Sequence, residues 1–231
     1  MLATLPLPIY FLIGGLISIF LPKGFIKSSF VCLVPVIALS VLLNGDWDDG
    51  FKVQFLDLEL NFMRVDKLST VFGIIFCIAA FLGNIFAFHL RESTQPFVAL
   101  IYSGAAIGAV FAGDLVTLFV YWELTAISSV FLIWARKTEG AYHAGMRYLI
   151  IQVLSGVVLL FGVALFYFEK GSISFSKMEL DSLATALIFV AFGIKCAFPF
   201  LHNWLQDSYP SATITGTVIL SAFTTKLAVY A

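Results

Sequence analysis

The chain has 231 residues, of which 61% are hydrophobic and only 12% charged, with a formal net charge of −1. Soluble domains carry about 25% charged residues and about 45–50% apolar ones, so this chain cannot clothe a water-exposed surface of its size, and a disordered chain is excluded as well. A net charge near zero presents no basic field to nucleic acid, and no nucleic-acid partner is expected.

A membrane-spanning helix needs roughly 20 mostly apolar residues. In chain order, eight such stretches are expected at 4–21, 28–44, 67–88, 96–113, 115–134, 146–168, 183–201 and 211–231. The first is retained as a span and not read as a signal peptide. Met1 to Ile9 carries no Lys or Arg, and no small-x-small cleavage site follows Leu12–Phe20. The separators are polar or contain Gly and Pro, as at Leu21-Pro22-Lys23-Gly24. The longest, 45–66, holds Asp46, Asp48, Asp49, Asp57 and Glu59, and the alternation over Val53–Leu60 is compatible with a short hairpin. Cys32, Cys77 and Cys196 lie in apolar runs without metal-ligand or disulfide-framework spacing. There is no nucleotide-binding loop, and neither metal nor cofactor is expected. The fold class is all-α, a polytopic transmembrane helix bundle of about eight spans.

Loop Lys and Arg residues set orientation. Lys23, Lys27, Arg91, Arg136, Lys137 and Arg147 fall on one side; Lys52, Arg64, Lys67, Lys170 and Lys177 fall on the other. That margin of one residue turns the 22–27 and 135–147 loops to the cytoplasm and leaves both termini outside.

With the loops filled, three charges remain within spans: Glu123, Lys195 and Lys226. An ionisable group at the bilayer centre costs about 2.5–3.5 kcal/mol on insertion scales and usually marks an ion path. The plainer alternative is a structural ion pair that locks two helices. Beyond Lys195 the chain reads Cys196-Ala197-Phe198-Pro199. Pro199 has no N–H to offer the Lys195 carbonyl four residues back, so the seventh span should be kinked or broken between about Lys195 and His202. Irregular backbone at that depth is tolerated only inside protein or beside water, although an ordinary proline kink near a helix end would look the same. Burial and a nearby opposite charge act on a lysine's proton affinity in opposite senses. A lysine whose glutamate partner comes and goes can therefore take up and release a proton, without a cofactor. His202 has an imidazole suited to proton transfer, or equally to anchoring a helix end among aromatics. His89 and His143 lie at span ends, where an interfacial position fits better than haem ligation. On the fourth span, Ser103, Gly104, Ala105, Ala106, Gly108 and Ala109 form a small-residue face that lets a neighbouring helix approach closely.

Tyr121-Trp122-Glu123-Leu124, followed by Gly193-Ile194-Lys195 and Phe198-Pro199-Phe200-Leu201-His202-x-Trp204-Leu205, resembles the antiporter-like proton-conducting membrane subunits. These include the D and A components of Mrp-type multisubunit cation/proton antiporters, the L, M and N chains of respiratory complex I, and matching components of membrane-bound hydrogenases. The ending Ser221-Ala-Phe-Thr-Thr225-Lys226-Leu-Ala-Val-Tyr230-Ala is most similar to the Mrp D component. The resemblance begins near Arg64-Val65-Asp66-Lys67-Leu68-Ser69 and runs to the end of the sequence.

The resemblance implies that Glu123 modulates the lysine on the seventh span, that Lys195 is that proton-holding lysine, that Lys226 links to a central polar axis, and that His202 matches the family's histidine between the seventh and eighth helices. Family members have about fourteen helices, built around two inverted five-helix repeats. Residues 1–95 would then carry three amino-terminal helices with an acidic extracytoplasmic loop at 45–66, and 96–231 the first repeat, helices 4–8. The second repeat is absent from this sequence, so the resemblance implies either one half of a split subunit, with a partner chain supplying helices 9–14, or a fragment.

The leading reading is a proton-translocating subunit of an Mrp-type monovalent cation/proton antiporter. It would be a multi-pass protein of the cytoplasmic membrane, assembled with other subunits in the lipid bilayer, moving protons and coupled to Na⁺ or K⁺. The alternatives are a proton-pumping subunit of a complex I-like NADH-quinone oxidoreductase or membrane-bound hydrogenase, and a structural membrane scaffold. An isolated chain is expected to be a transporter component and not an enzyme.

Overall fold

A computed structural model describes residues 5–47, 50–56, 58–90, 92 and 94–231. The expectations that fall on Met1, Asp48, Asp49, Asp57 and Arg91 lie outside the described residues. Each apolar stretch forms a helix: α1 (Leu7–Phe20), α2 (Phe25–Asn44), α3 (Lys67–Phe86), α4 (Thr94–Phe111), α5 (Leu115–Trp134), α6 (Glu139–Lys170), α7 (Leu183–Lys195) and, after the short α8 (Asn203–Ser208), α9 (Ile214–Tyr230). Among the described residues, α2 to α6 are long and apolar enough to cross a membrane, while α1, α7 and α9 are shorter apolar helices. A hairpin of β1 (Phe51–Phe55) and β2 (Leu58–Met63) fills the long separator, antiparallel with Val53 opposite Leu60.

Local signals explain most of the boundaries. Asp66 and Ser69 form a capping box that starts α3, and Ser182 with Thr185 does the same for α7. Thr138 and Thr213 accept from the third residue of α6 and α9, and Gly171 ends α6 in the left-handed conformation at φ 68°. Two boundaries depart from the sequence reading. The sixth span begins at Glu139 instead of 146, because the Thr138 cap adds two polar turns. The seventh ends at Lys195 instead of 201. Lys27, assigned to a loop, sits in the first turn of α2 and is buried.

The bundle is organised around α4, where nearly every residue is buried, packed by α1, α3, α5 and α9. The small-residue face makes this possible. Gly104 lies against Phe11 of α1, and Gly108 against the ring of Tyr121 of α5. A side chain at either glycine would separate the helices.

The hairpin is tied to the bundle by Asp114, which is 2% exposed. Its Oδ1 accepts from the Thr117 N–H at 2.7 Å, capping α5. Its Oδ2 accepts from the Asn61 N–H of β2 at 2.7 Å and from the Thr117 hydroxyl at 2.7 Å. Around it, Gly113 donates to the Asn61 carbonyl, Arg64 to Phe111, and Leu115 to Ile173. The carboxylate thus joins the hairpin to the start of α5, and the backbone bond from Leu115 adds the segment after α6. Asp114→Ala removes three charge-assisted bonds and should cost about 2 kcal/mol or more, read as a fall of several degrees in thermal unfolding in detergent. Lys52→Ala, which breaks the exposed Lys52–Glu59 pair on the same hairpin, should cost no more than about 0.5 kcal/mol. Equal melting of Asp114→Ala and wild type would show that the carboxylate anchors nothing.

Candidate functional site

Lys195 is the last residue of α7 and is 1% exposed. Its Nζ donates to the Trp122 carbonyl at 2.9 Å and to the Thr125 hydroxyl at 2.9 Å, both on α5. It also lies 4.1 Å from the centroid of the Trp122 ring, within cation–π range. The Trp122 indole is held in turn by donating Nε1–H to Ser155 Oγ of α6 at 2.9 Å. Three helices therefore fix one amino group.

Glu123 follows Trp122 on α5 and turns towards α6. Its Oε1 is enclosed and has no hydrogen-bond partner among the described residues, and it lies against Gly156, where a Cβ would overlap it. Among the described residues, no ion pair joins Glu123 to Lys195. The Lys195 amino nitrogen and the Glu123 carboxylate oxygens lie more than 4.0 Å apart.

The chain after Lys195 is closed by a Schellman arrangement. Ala197 N–H donates to the Ile194 carbonyl and Phe198 N–H to the Gly193 carbonyl, with Ala197 in the left-handed conformation at φ 60° and the Phe198 ring over Gly193. The helix thus stops four residues before Pro199. The physical reason lies ahead of the proline: residue 198, preceding it, is sterically biased away from helical angles, so the turn closes before it. Trp204 Nε1–H, from α8, then bonds the Ile194 carbonyl at 2.9 Å. His202 is half-buried at the start of α8 and makes no side-chain cap bond.

Lys226 is placed elsewhere. The buried face of α9 carries Phe223, Thr224, Leu227 and Ala228, and Lys226 points away from it, exposed, with Nζ donating to the Ser221 carbonyl at 2.7 Å. Within this chain it is therefore not the enclosed charge its place in an apolar span suggested. His89 and His143 are both exposed; His89 meets the Phe86 carbonyl and His143 lies 3.8 Å from Glu139.

Sequence reading missed the residues that surround the lysine. Thr125, Ser155, Gly156 and Gln152 are neutral or small, and only their recurrence on the inner faces of α5 and α6 could have signalled them. It also missed the outer brace. Arg147 of α6 holds Asp207 of α8 through Nε at 2.6 Å and a second nitrogen at 2.9 Å, which fixes α8 beneath the break. The Arg147 bond, with its charge, keeps the Asp207 carboxyl below the ordinary aspartate range.

A family profile described as NADH:quinone oxidoreductase/Mrp antiporter, TM, matches residues 112–231. The A component of the Na(+)/H(+) antiporter of Alkalihalophilus pseudofirmus is 28% identical over 193 residues, covering 75% of this chain and 24% of its own length. The D component of the Na(+)/H(+) antiporter of the same organism is 25% identical over 256 aligned residues, covering 100% of this chain and 51% of its own. A chain of respiratory complex I from Thermus thermophilus has a similar fold, with a TM-score of 0.81 at 19% identity over 97% of this chain and 51% of that one. The chain spans about half or less of the length of these relatives.

Two outcomes follow from this geometry. Gly156→Ala should cost about 1–3 kcal/mol by crowding Glu123, and less in a Glu123→Ala background. A thermal-unfolding cycle of the two single variants and the double variant measures the coupling, and strict additivity would place the carboxylate away from Gly156. Asp207→Asn should cost at most about 1 kcal/mol, since both partners are partly exposed. The folded-state acidity of Asp207 is depressed, so the bridge contributes fully above the unfolded value near 3.9 and is lost as the pH falls through the lower folded value. Wild type and Asp207→Asn should therefore differ above about pH 4 and converge on further acidification.

Proposed function

The chain belongs to the NADH:quinone oxidoreductase/Mrp antiporter membrane family, and on that premise we propose that it translocates protons as a subunit of an Mrp-type monovalent cation/proton antiporter, through Glu123 and Lys195. In this reading residues 96–231 form the first antiporter-like repeat, and 1–95 carry the amino-terminal helices with an acidic, extracytoplasmic loop at 45–66. The complex resides in the cytoplasmic membrane, and the exchanged cation is Na⁺ or K⁺.

The observation that supports the reading is the state of Lys195. Its amino group is enclosed and bound by neutral oxygens and a ring face, while the carboxylate oxygen of Glu123 nearby is enclosed and unbonded. A pair retained only to lock helices would be expected in direct contact, because separated charges leave each desolvation cost uncompensated. Two groups held near each other but apart can change partner, and a change of partner moves a proton on or off Nζ. The Thr125 hydroxyl that accepts from Nζ also donates to the Trp122 carbonyl at 2.7 Å, so these two oxygens stay bonded to each other when a proton leaves Nζ. His202, at the start of α8, lies on the far side of the broken segment and serves as an exit group. Lys226, on the outer face of α9, offers its charge to a neighbouring subunit. The fold shared with a complex I chain supports a second reading, a redox-driven pump subunit with the same relay.

The test uses the assembled complex in inverted membrane vesicles of the host. Glu123→Gln and Lys195→Ala should each lower ΔpH-driven Na⁺ or K⁺ exchange by about a hundredfold or more with complex abundance unchanged. Wild-type exchange in both variants overturns the relay, and loss of the complex favours a structural role. Proton movement that requires NADH, and not an imposed ion gradient, would assign the redox-driven reading.

A further inference from the structure

Gln152, on α6, is fully enclosed at 0% exposure, and neither its amide oxygen nor its amide nitrogen has a hydrogen-bond partner among the described residues. A primary amide carries two donors and two acceptor lone pairs, and buried polar groups in native proteins are bonded to protein or to ordered water. Flipping the amide changes nothing here, because both ends are unpartnered.

Its position is defined by the contacts on either side. α5 and α6 run antiparallel, with the Ser129 hydroxyl 2.7 Å from the Tyr148 hydroxyl and Trp122 Nε1 bonded to Ser155. Gln152 lies between those two contacts, at the level of Thr125, whose hydroxyl receives Lys195 Nζ. One helical turn further along α6 is Gly156, against which Glu123 Oε1 lies, itself enclosed and unpartnered. Residues four apart share a helix face, so the amide and the carboxylate oxygen occupy adjoining levels of one enclosed layer, with the lysine across it on α7.

We propose that Gln152 is a positioning residue that holds ordered water against Glu123 Oε1, and that this water is the link by which the carboxylate reaches Lys195. A buried water needs two to four polar partners, and the amide, the carboxylate oxygen and the Thr125 hydroxyl supply them. The lysine's positive charge beside the layer disfavours a metal cation there and leaves water as the occupant. The inference rests on the proposed relay, in which Glu123 and Lys195 communicate without touching.

The variants are Gln152→Met, which keeps the length and removes the hydrogen bonds, and Gln152→Glu, which keeps shape and polarity. In the assembled complex, Gln152→Met should leave abundance and melting temperature at or above wild type, because an enclosed amide is replaced by an apolar chain. Cation exchange should fall at least about tenfold, with a displaced pH profile. Gln152→Glu should restore part of the rate. In a Glu123→Gln background Gln152→Met should add no further loss. A high-resolution map of the wild-type complex should show water within hydrogen-bond distance of the amide and of Glu123, absent in Gln152→Met. Wild-type exchange and pH profile in Gln152→Met, with Glu123→Gln inactive, would overturn the water link and leave the relay standing. Wild-type exchange in Glu123→Gln would overturn the relay itself. A Gln152→Met complex that fails to assemble, or an amide bonded directly to protein in the map, would assign Gln152 a purely structural role and overturn the proposal.

Discussion

The requirement that the Lys195 amino group be bonded where no bulk water reaches it governs the centre of this molecule. A lysine at that depth is tolerated only if its donors find oxygens. α5 provides a backbone carbonyl, a hydroxyl and an aromatic face within one turn, at Trp122 and Thr125. That arrangement fixes the approach of α7 to α5, and the Trp122–Ser155 bond then fixes α6. The end of α7 falls at the lysine itself, and its last carbonyls are taken by the N–H groups of Ala197 and Phe198 and by the Trp204 indole, which leaves Nζ to α5 alone.

Beyond the lysine, the interior is polar through hydroxyls more than through charges. Ser129 meets Tyr148, and Tyr102 of α4 meets Thr224 of α9. The Tyr102 and Tyr209 hydroxyls both donate to the Leu220 carbonyl. Hydroxyls donate and accept at once, so a few of them close a network between helices without the desolvation cost of ions. This separates the packing role, carried by Tyr, Ser and Thr, from the buried charged groups, which are few and among which Glu123 Oε1 has no hydrogen-bond partner among the described residues.

Much of this was legible in the sequence because hydrophobic stretches and caps are local. Span positions follow from composition, and the hairpin follows from the alternation over Val53–Leu60. Gly104 and Gly108 revealed the close approaches of α4 by spacing alone. What escaped was set by three-dimensional neighbours. Lys27 reads as a loop charge until its first-turn position in α2 encloses it. Lys226 reads as an enclosed charge until the rotation of α9 turns it outward. Pro199 signals the break, but the turn that makes it uses Ala197 in a left-handed conformation, for which sequence offers glycine as the only strong cue. Gln152 carries no charge and follows no motif, so nothing marked it before its surroundings were known.

The unequal lengths of α6 and α7 bear on how the chain sits in lipid. At 1.5 Å per residue, the 32 residues of α6 extend about 48 Å, well beyond a hydrocarbon layer of about 30 Å. The 13 residues of α7 reach only about 20 Å. The packed pair therefore cannot match one bilayer thickness along its whole perimeter. The shortfall beside α7 is taken up by the irregular stretch that carries Phe198, Phe200 and Leu201 on its outer side, while the excess of α6 projects as the polar turns braced by Arg147 and Asp207. Thinning or thickening of the membrane therefore acts unequally on these two helices.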